Sequence, residues 1–237
     1  MIFFCGDVHG NFEHVIQTVI THSPAAIIFL GDLQCQRPLE MELEKILHKT
    51  DVWFIHGNHD TDSDADFDHL FNSALRDKNL HGRVVDIDGR RVAGLGGIFR
   101  GQIWRPPEIK KYDTRNEFDE KCAKKSQWSN DLSHKHHSSI FPSDYFELIN
   151  QSADILVTHE APACHPHGFN AIDDLAKNMG VDSAFHGHHH DRLDYSGSYL
   201  KLGFKAFGVG FRGISDENGC LVRKGDFDEI RSQRKAG

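Results

Sequence analysis

The chain has 237 residues, of which 38% are hydrophobic and 26% charged, and carries a formal net charge of -8. These values exclude extended disorder and argue against a protein that coats nucleic acid through a broad basic face. No apolar run approaches the roughly 18 residues that span a bilayer, and the opening MIFFCGD lacks the basic start and cleavage site of a secretory leader, so a cytoplasmic protein starting at Met1 is expected.

The length suits one domain, 1–237, around a single core. Cys5, Cys35, Cys122, Cys164 and Cys220 are scattered, with no CxxC pair, so reduced thiols are expected rather than a disulfide framework or a zinc knuckle.

In chain order, the apolar run Ile2 to Cys5 leads into Gly6-Asp7-Val8-His9-Gly10. Phe12, Val15, Ile16, Val19 and Ile20 then recur at helical spacing, which predicts a helix from Asn11 to His22 that ends before Pro24. Ala25 to Leu30 leads into Gly31-Asp32. Leu39, Leu43, Ile46 and Leu47 repeat the helical spacing, and the strand Val52 to Ile55 leads into Gly57-Asn58-His59-Asp60. This βαβαβ order predicts a parallel core sheet. Phe67, Leu70, Phe71, Ala74 and Leu75 predict another helix, after the acidic stretch Asp60 to Asp68.

Arg83 to Ile87 and Arg90 to Gly94 flank Asp88-Gly89, a hairpin with a tight turn. Residues 98–142 are polar and weakly periodic, which predicts an inserted loop or cap with short helices. Nine Lys and Arg against six Asp and Glu there leave a local charge of +3, a balance that would favour an anionic substrate. A helix is expected over Tyr145 to Asn150, the strand Ile155 to Val157 leads to Thr158-His159, and a helix over Ala171 to Met179 precedes Ser183 to Phe185 and His186-Gly187-His188-His189-His190. Tyr199 to Val222 reads as antiparallel strands closing a second sheet. The expected fold class is therefore α/β, two packed sheets with helices outside.

Apolar strands that end in ligand-type residues predict a site at the carboxyl edge of the sheet. Asp7 and His9 stand two apart, as do His188 and His190, and in extended backbone such neighbours project to one face. Asp32 has two oxygens and could bridge two cations; Asn58 offers an amide oxygen and His159 an imidazole. These seven residues, from five strands expected to be neighbours in one sheet, suit a pair of divalent ions. Of the 18 histidines, His134, His136, His137, His165 and His167 lie in polar stretches and are expected in solvated loops.

As a set, Asp7-Val8-His9, Gly31-Asp32, Gly57-Asn58-His59-Asp60, His159 and Gly187-His188-His189-His190 resemble the ordered DxH, GD, GNH-acid, His and GHxH motifs of the calcineurin-like metallophosphoesterases. The resemblance implies a four-layer α-β-β-α sandwich with two mixed sheets and a dinuclear site at the strand carboxyl ends. Asp7, His9, Asp32 and His190 would hold one metal, and Asp32, Asn58, His159 and His188 the other. The ions would be manganese, iron, zinc, cobalt or nickel, with manganese or iron favoured. A bridging water acidified by both ions would attack a phosphate mono- or diester directly. His59 would protonate the leaving oxygen, and Asp60 would orient its ring.

The chain departs from the protein phosphatases of that family, which carry GDxVDRG. Here Gly31-Asp32-Leu33-Gln34-Cys35-Gln36-Arg37 has Arg37 one place later, so Arg37, Asn58 and Arg100 are the candidate substrate contacts. Ala93 to Arg100 also resembles a glycine-rich stretch of the lariat-debranching branch. The alternatives are thus a nuclease or debranching-like phosphodiesterase, with nucleic acid a less favoured partner, and an interaction module of the same fold that has lost the reaction. A phosphoester substrate is expected, and no membrane partner. The oligomeric state is left open.

Overall fold

The computed structural model describes residues 1–123 and 134–233. Lys124, Lys125 and Asp131, which entered the charge balance of the 98–142 segment, lie outside the described residues. Two five-stranded sheets carry the fold. The first contains β1 (Ile2–Cys5), β2 (Ala26–Leu30), β3 (Asp51–Ile55), β9 (Ile214–Asp216) and β10 (Leu221–Arg223), in the order β10-β9-β1-β2-β3. The second contains β4 (Arg83–Ile87), β5 (Arg90–Leu95), β6 (Ile155–Thr158), β7 (Ser183–His186) and β8 (Lys205–Gly208), in sequential order.

Both sheets are mixed. β1, β2 and β3 are parallel, while β9 pairs antiparallel with β1 and β10 with β9. In the second sheet β5 to β8 are parallel, and the β4–β5 hairpin is antiparallel, closed at Asp88 (φ 51) and Gly89 (φ 74). Those left-handed residues match the twist of a two-residue hairpin turn.

Alternation of side chains along the strands divides the core into three. Phe4, Ile28, Ile55, Val92, Val157 and Phe185 fill the space between the sheets, where Phe4 and Phe185 stack at 3.8 Å. Phe3, Ile27 and Phe54 face the opposite way, against α1 (Glu13–His22) and α2 (Leu39–Glu42). Ala93, Leu156 and Ala184 face α5 (Pro142–Leu148) and α6 (Asn170–Met179). The result is the expected four-layer α-β-β-α sandwich.

Several expectations change. The five motif-bearing strands are not neighbours in one sheet: β1, β2 and β3 belong to the first, β6 and β7 to the second. The hairpin after β3 starts the second sheet, and the two face each other through their apolar sides. The C-terminal stretch does not close the second sheet as antiparallel strands. β8 joins it parallel to β7, whereas β9 and β10 return to the first sheet.

The helical spacing from Leu39 produces a single α-helical turn followed by mixed turns, although Leu39, Leu43 and Ile46 are buried as the spacing requires. The 98–142 segment contains α4 (Arg115–Ala123), yet it is not merely a polar cover: Phe99, Ile103, Trp104, Phe118, Ile140 and Phe141 join the core against the second sheet. His136 and His165, expected in solvated loops, are buried; His136 shares a hydrogen bond with Ser139, and His165 stacks on His189 at 3.9 Å. None of the five cysteines forms a disulfide among the described residues.

Candidate metal centre

All seven candidate ligands lie just past the carboxyl ends of β1, β2, β3, β6 and β7, strands whose apolar bodies are locked between layers while their ends open toward one edge. The pairs Asp7/His9 and His188/His190 do not converge through extended backbone. Their φ values are 30, 42, 69 and 57, so tight left-handed turns aim them. Such conformations are costly in non-glycine residues and concentrate at functional sites. The second strand end needs a true glycine. At Gly31 (φ 97) a side chain would collide with the His159 ring, and at Gly57 with Asp32 and His159.

Two groups of donors form. Single ligand atoms of Asp7, His9, Asp32 and His190 all lie within 4.8 Å of one another, and so do those of Asp32, His159 and His188. Asn58 Oδ1 lies 3.2 Å from His159 Nε2, beside the second group. Asp32 belongs to both: its Oδ2 is 3.8 Å from His9 Nε2 and 3.4 Å from His159 Nε2.

The surrounding bonds select which atoms face inward. His159 Nδ1 donates to the Leu30 carbonyl at 2.7 Å, which turns Nε2 toward the donors, where a metal would displace its proton. His9 Nδ1 is 2.5 Å from Gln34 Oε1, so its Nε2 points at His190 Nε2, 3.1 Å away. Asp7 Oδ1 accepts the His188 amide N–H, and Asp32 Oδ1 the amide of His59, both at 2.9 Å. The remaining oxygens, Asp7 Oδ2 and Asp32 Oδ2, are buried and accept no well-aligned hydrogen bond, Asp32 Oδ2 having only the His159 imidazole 3.4 Å away. Orphaned buried carboxylate oxygens are costly, and a cation at about 2 Å from each donor would satisfy them. The donors present therefore fit divalent ions.

The local field agrees. Burial opposes charge on His159, yet Asp32 and Asp7 raise its pKa to about 10. Burial pushes Asp7 up to about 7, whereas Asp32, despite its burial, is held well below the carboxylate range by His159. Burial, then the charge of His159, lowers His188 to about 3, which keeps a neutral ring. A pocket that draws a proton onto its central imidazole is one that attracts positive charge.

His59 is 43% exposed on its side chain and stands outside both groups, its ring centroid 5.5 Å from that of His9. Burial works against its charge, but Asp62 and Asp32 raise its pKa above the usual value. Its ring is oriented by Asp62 and not by Asp60: Nδ1 lies 2.5 Å from Asp62 Oδ2. His59–Thr61 is a 3-10 turn, in which positions three apart eclipse, so Asp62 comes alongside while Asp60 turns inward. Buried Asp60 instead accepts the amides of Gln34 and Gly57, both at 2.8 Å, and so ties the second strand end to the third.

Arg100 is half-buried, donates to Ser138 Oγ at 3.1 Å and feels the charges of Asp62, Glu160 and Asp32. Arg37 is not brought to the donors. It is bound to Glu42 at 3.2 Å and to the Met41 carbonyl at 3.1 Å, on a cavity that His9 also lines. Sequence reasoning missed Gln34, Asp62 and Phe211, whose ring packs 5.3 Å from His9 and 4.9 Å from His190. Only Asp62 left a usable signal, its three-residue offset from His59.

Residues 1–192 match the family model described as calcineurin-like phosphoesterase. The chain is 44% identical to an uncharacterized protein of Haemophilus influenzae over 219 residues, covering 92% of this chain and 95% of the other. Among solved structures, that of TT1561 of Thermus thermophilus is similar in fold, with a TM-score of 0.56 at 15% identity, covering 94% of this chain and 97% of that one. With the family match spanning every one of the motif positions, the chain belongs to the calcineurin-like phosphoesterase family.

Proposed function

We propose that the protein is a hydrolase of phosphate mono- or diesters that works with two divalent ions, one held by Asp7, His9, Asp32 and His190 and the other by Asp32, Asn58, His159 and His188. The observation that carries this reading is Asp32 Oδ2, a buried oxygen without a well-aligned hydrogen bond where two donor groups meet. Ions bound there would neutralise the phosphoryl oxygens and activate water for in-line attack. Carboxylate and amide oxygens mixed with imidazoles suit manganese or iron first, with zinc, cobalt and nickel also accommodated.

The chain's own groups supply the rest. Asp32 Oδ1 holds the His59 amide, which fixes the backbone of His59 to the shared ligand. Asp62 holds the His59 ring and favours its protonated form, so the imidazolium can give a proton to the departing oxygen. Asp60 keeps the loops after β2 and β3 in register, a supporting role rather than contact with the ring. Arg100 adds a positive charge on the cap side that can grip a phosphoryl oxygen.

The test is an assay of p-nitrophenyl phosphate and bis(p-nitrophenyl) phosphate on manganese-loaded protein. Turnover of at least one ester is expected, and His59→Ala should slow it by about 100-fold or more with metal content retained. No hydrolysis of either ester by protein holding two ions would favour an interaction module instead.

A further inference from the structure

The connection from β8 to β9, residues 209–213, crosses from the second sheet to the first beside the donor groups. Val209 N–H donates to His186 O at 2.9 Å; Gly6 N–H donates to Gly213 O and Arg212 N–H to Gly6 O, both at 3.0 Å. The crossing is thus pinned to both strand ends. Arg212 sits at φ 56, a strained value that a non-glycine residue keeps only where its surroundings impose it. Its Nε donates to the carbonyl of Val8, between Asp7 and His9, at 3.3 Å. Its guanidinium lies 4.7 Å over the Phe211 ring, which in turn packs on His9 and His190.

This fixed cation lines a cavity of about 440 Å³ that also takes in His9, Asn11 and Gln36, a volume within the range of small-molecule sites. Arg212 Nη1 is 3.6 Å from Asp226 Oδ2, but Arg223 Nη2 also donates to Asp226, at 3.0 Å. One carboxylate therefore serves two guanidinium groups, and the guanidinium of Arg212 keeps donors that Asp226 does not take up. Burial, then the charge of Arg223, pushes nearby His14 down to about 4, so it adds no charge near neutrality. Arg37 on the same cavity is matched by Glu42. Lys45, Glu13 and Glu44 line it from exposed positions, where solvent screens them.

We propose that this cavity is the subsite for the leaving group of the substrate, and that Arg212 binds a second phosphate carried by that group. The inference rests on the hydrolase reading above and deepens it: the preferred substrate is a polyol or sugar bisphosphate whose hydroxyls meet Asn11 and Gln36. A planar guanidinium offers paired donors to phosphate oxygens, which an ammonium does not reproduce.

The experiment compares glucose 1-phosphate with glucose 1,6-bisphosphate on manganese-loaded protein. The ratio of kcat/KM for the bisphosphate over the monophosphate should be about tenfold or more in the parent protein, fall toward unity in Arg212→Met and recover in part in Arg212→Lys. A second readout, calorimetric binding of both sugars in a His59→Ala background, should show the same loss of preference on adding Arg212→Met. A parent ratio near unity, or a ratio unmoved by Arg212→Met, would overturn the inference while leaving the hydrolase reading intact. Hydrolysis of neither sugar phosphate nor of the chromogenic esters would reject both together.

Discussion

Asp32 concentrates the chemistry of the site in one side chain. One oxygen accepts the His59 amide and the other lies between two sets of ligand atoms, so Asp32→Asn removes the only carboxylate common to both. Metal content, measured by atomic emission after manganese loading, should then fall below one ion per chain. His59 calls for a different measurement. Asp62 raises its pKa, and a proton donor loses activity as pH rises through its pKa, so Asp62→Asn should move the alkaline limb of kcat/KM to lower pH. Asp60→Asn, which loosens two backbone amides, should leave that limb in place and lower metal occupancy instead. A limb that stays put in Asp62→Asn would show that this carboxylate does not govern the ring.

The strand ends act as one element because their loops are tied to each other. Gly57→Ala should drive Asp32 and His159 apart; loss of bound metal with a retained far-UV circular dichroism spectrum is the expected outcome. The loop also leads into α3 (Asp64–Phe71), whose first turn is closed by Ser63 accepting the Asp66 amide at 3.1 Å. Ser63→Ala should cost about 1 kcal/mol in a denaturant titration.

At this scale the sequence was most legible where local pattern decides the outcome. Apolar runs located β1 to β7 close to their observed places, the Asp88-Gly89 turn marked the hairpin, and the ordered motifs named the residues that now lie together. What it hid was non-local or conformational. Which strands share a sheet depends on pairing between distant segments, so β8 and β9 looked like partners although they lie in different sheets. The left-handed φ values at Asp7, His9, His188 and His190 fall on residues that are not glycine, so residue type does not announce them. The exchange of Asp60 for Asp62 follows from a 3-10 turn that spacing alone did not reveal. The burial of Phe99, Phe118 and Phe141 in the 98–142 segment was masked by the polar residues around them.

For the whole molecule, the two sheets meet through Phe4 and Phe185, and the site's donors come from both, so binding ions should brace one sheet against the other. Among the described residues no helix is long and apolar enough to cross a membrane. Without metal the site should make stability depend on pH. The Asp7 carboxyl is raised to about 7 in the folded chain, above its unfolded value of about 3.9. The folded state therefore holds that proton more tightly, and the stability this carboxyl contributes to the metal-free protein is lost as pH rises from about 4 to about 7. His159, raised to about 10, extends the same trend upward. Buried imidazoles with lowered pKa, such as His186 and His188, pull the other way, so the check compares metal-free melting curves of the parent and Asp7→Asn: the parent's Tm should fall relative to the variant's as pH rises across that range, and manganese should flatten the difference.

The central claim, two ions sharing Asp32, is tested most directly by anomalous diffraction from crystals soaked in manganese. Two peaks flanking Asp32 Oδ2 are expected, one against Asp7, His9 and His190 and the other against Asn58, His159 and His188. A map with no peak at these donors, or with a single ion that leaves Asp32 Oδ2 uncontacted, would contradict it.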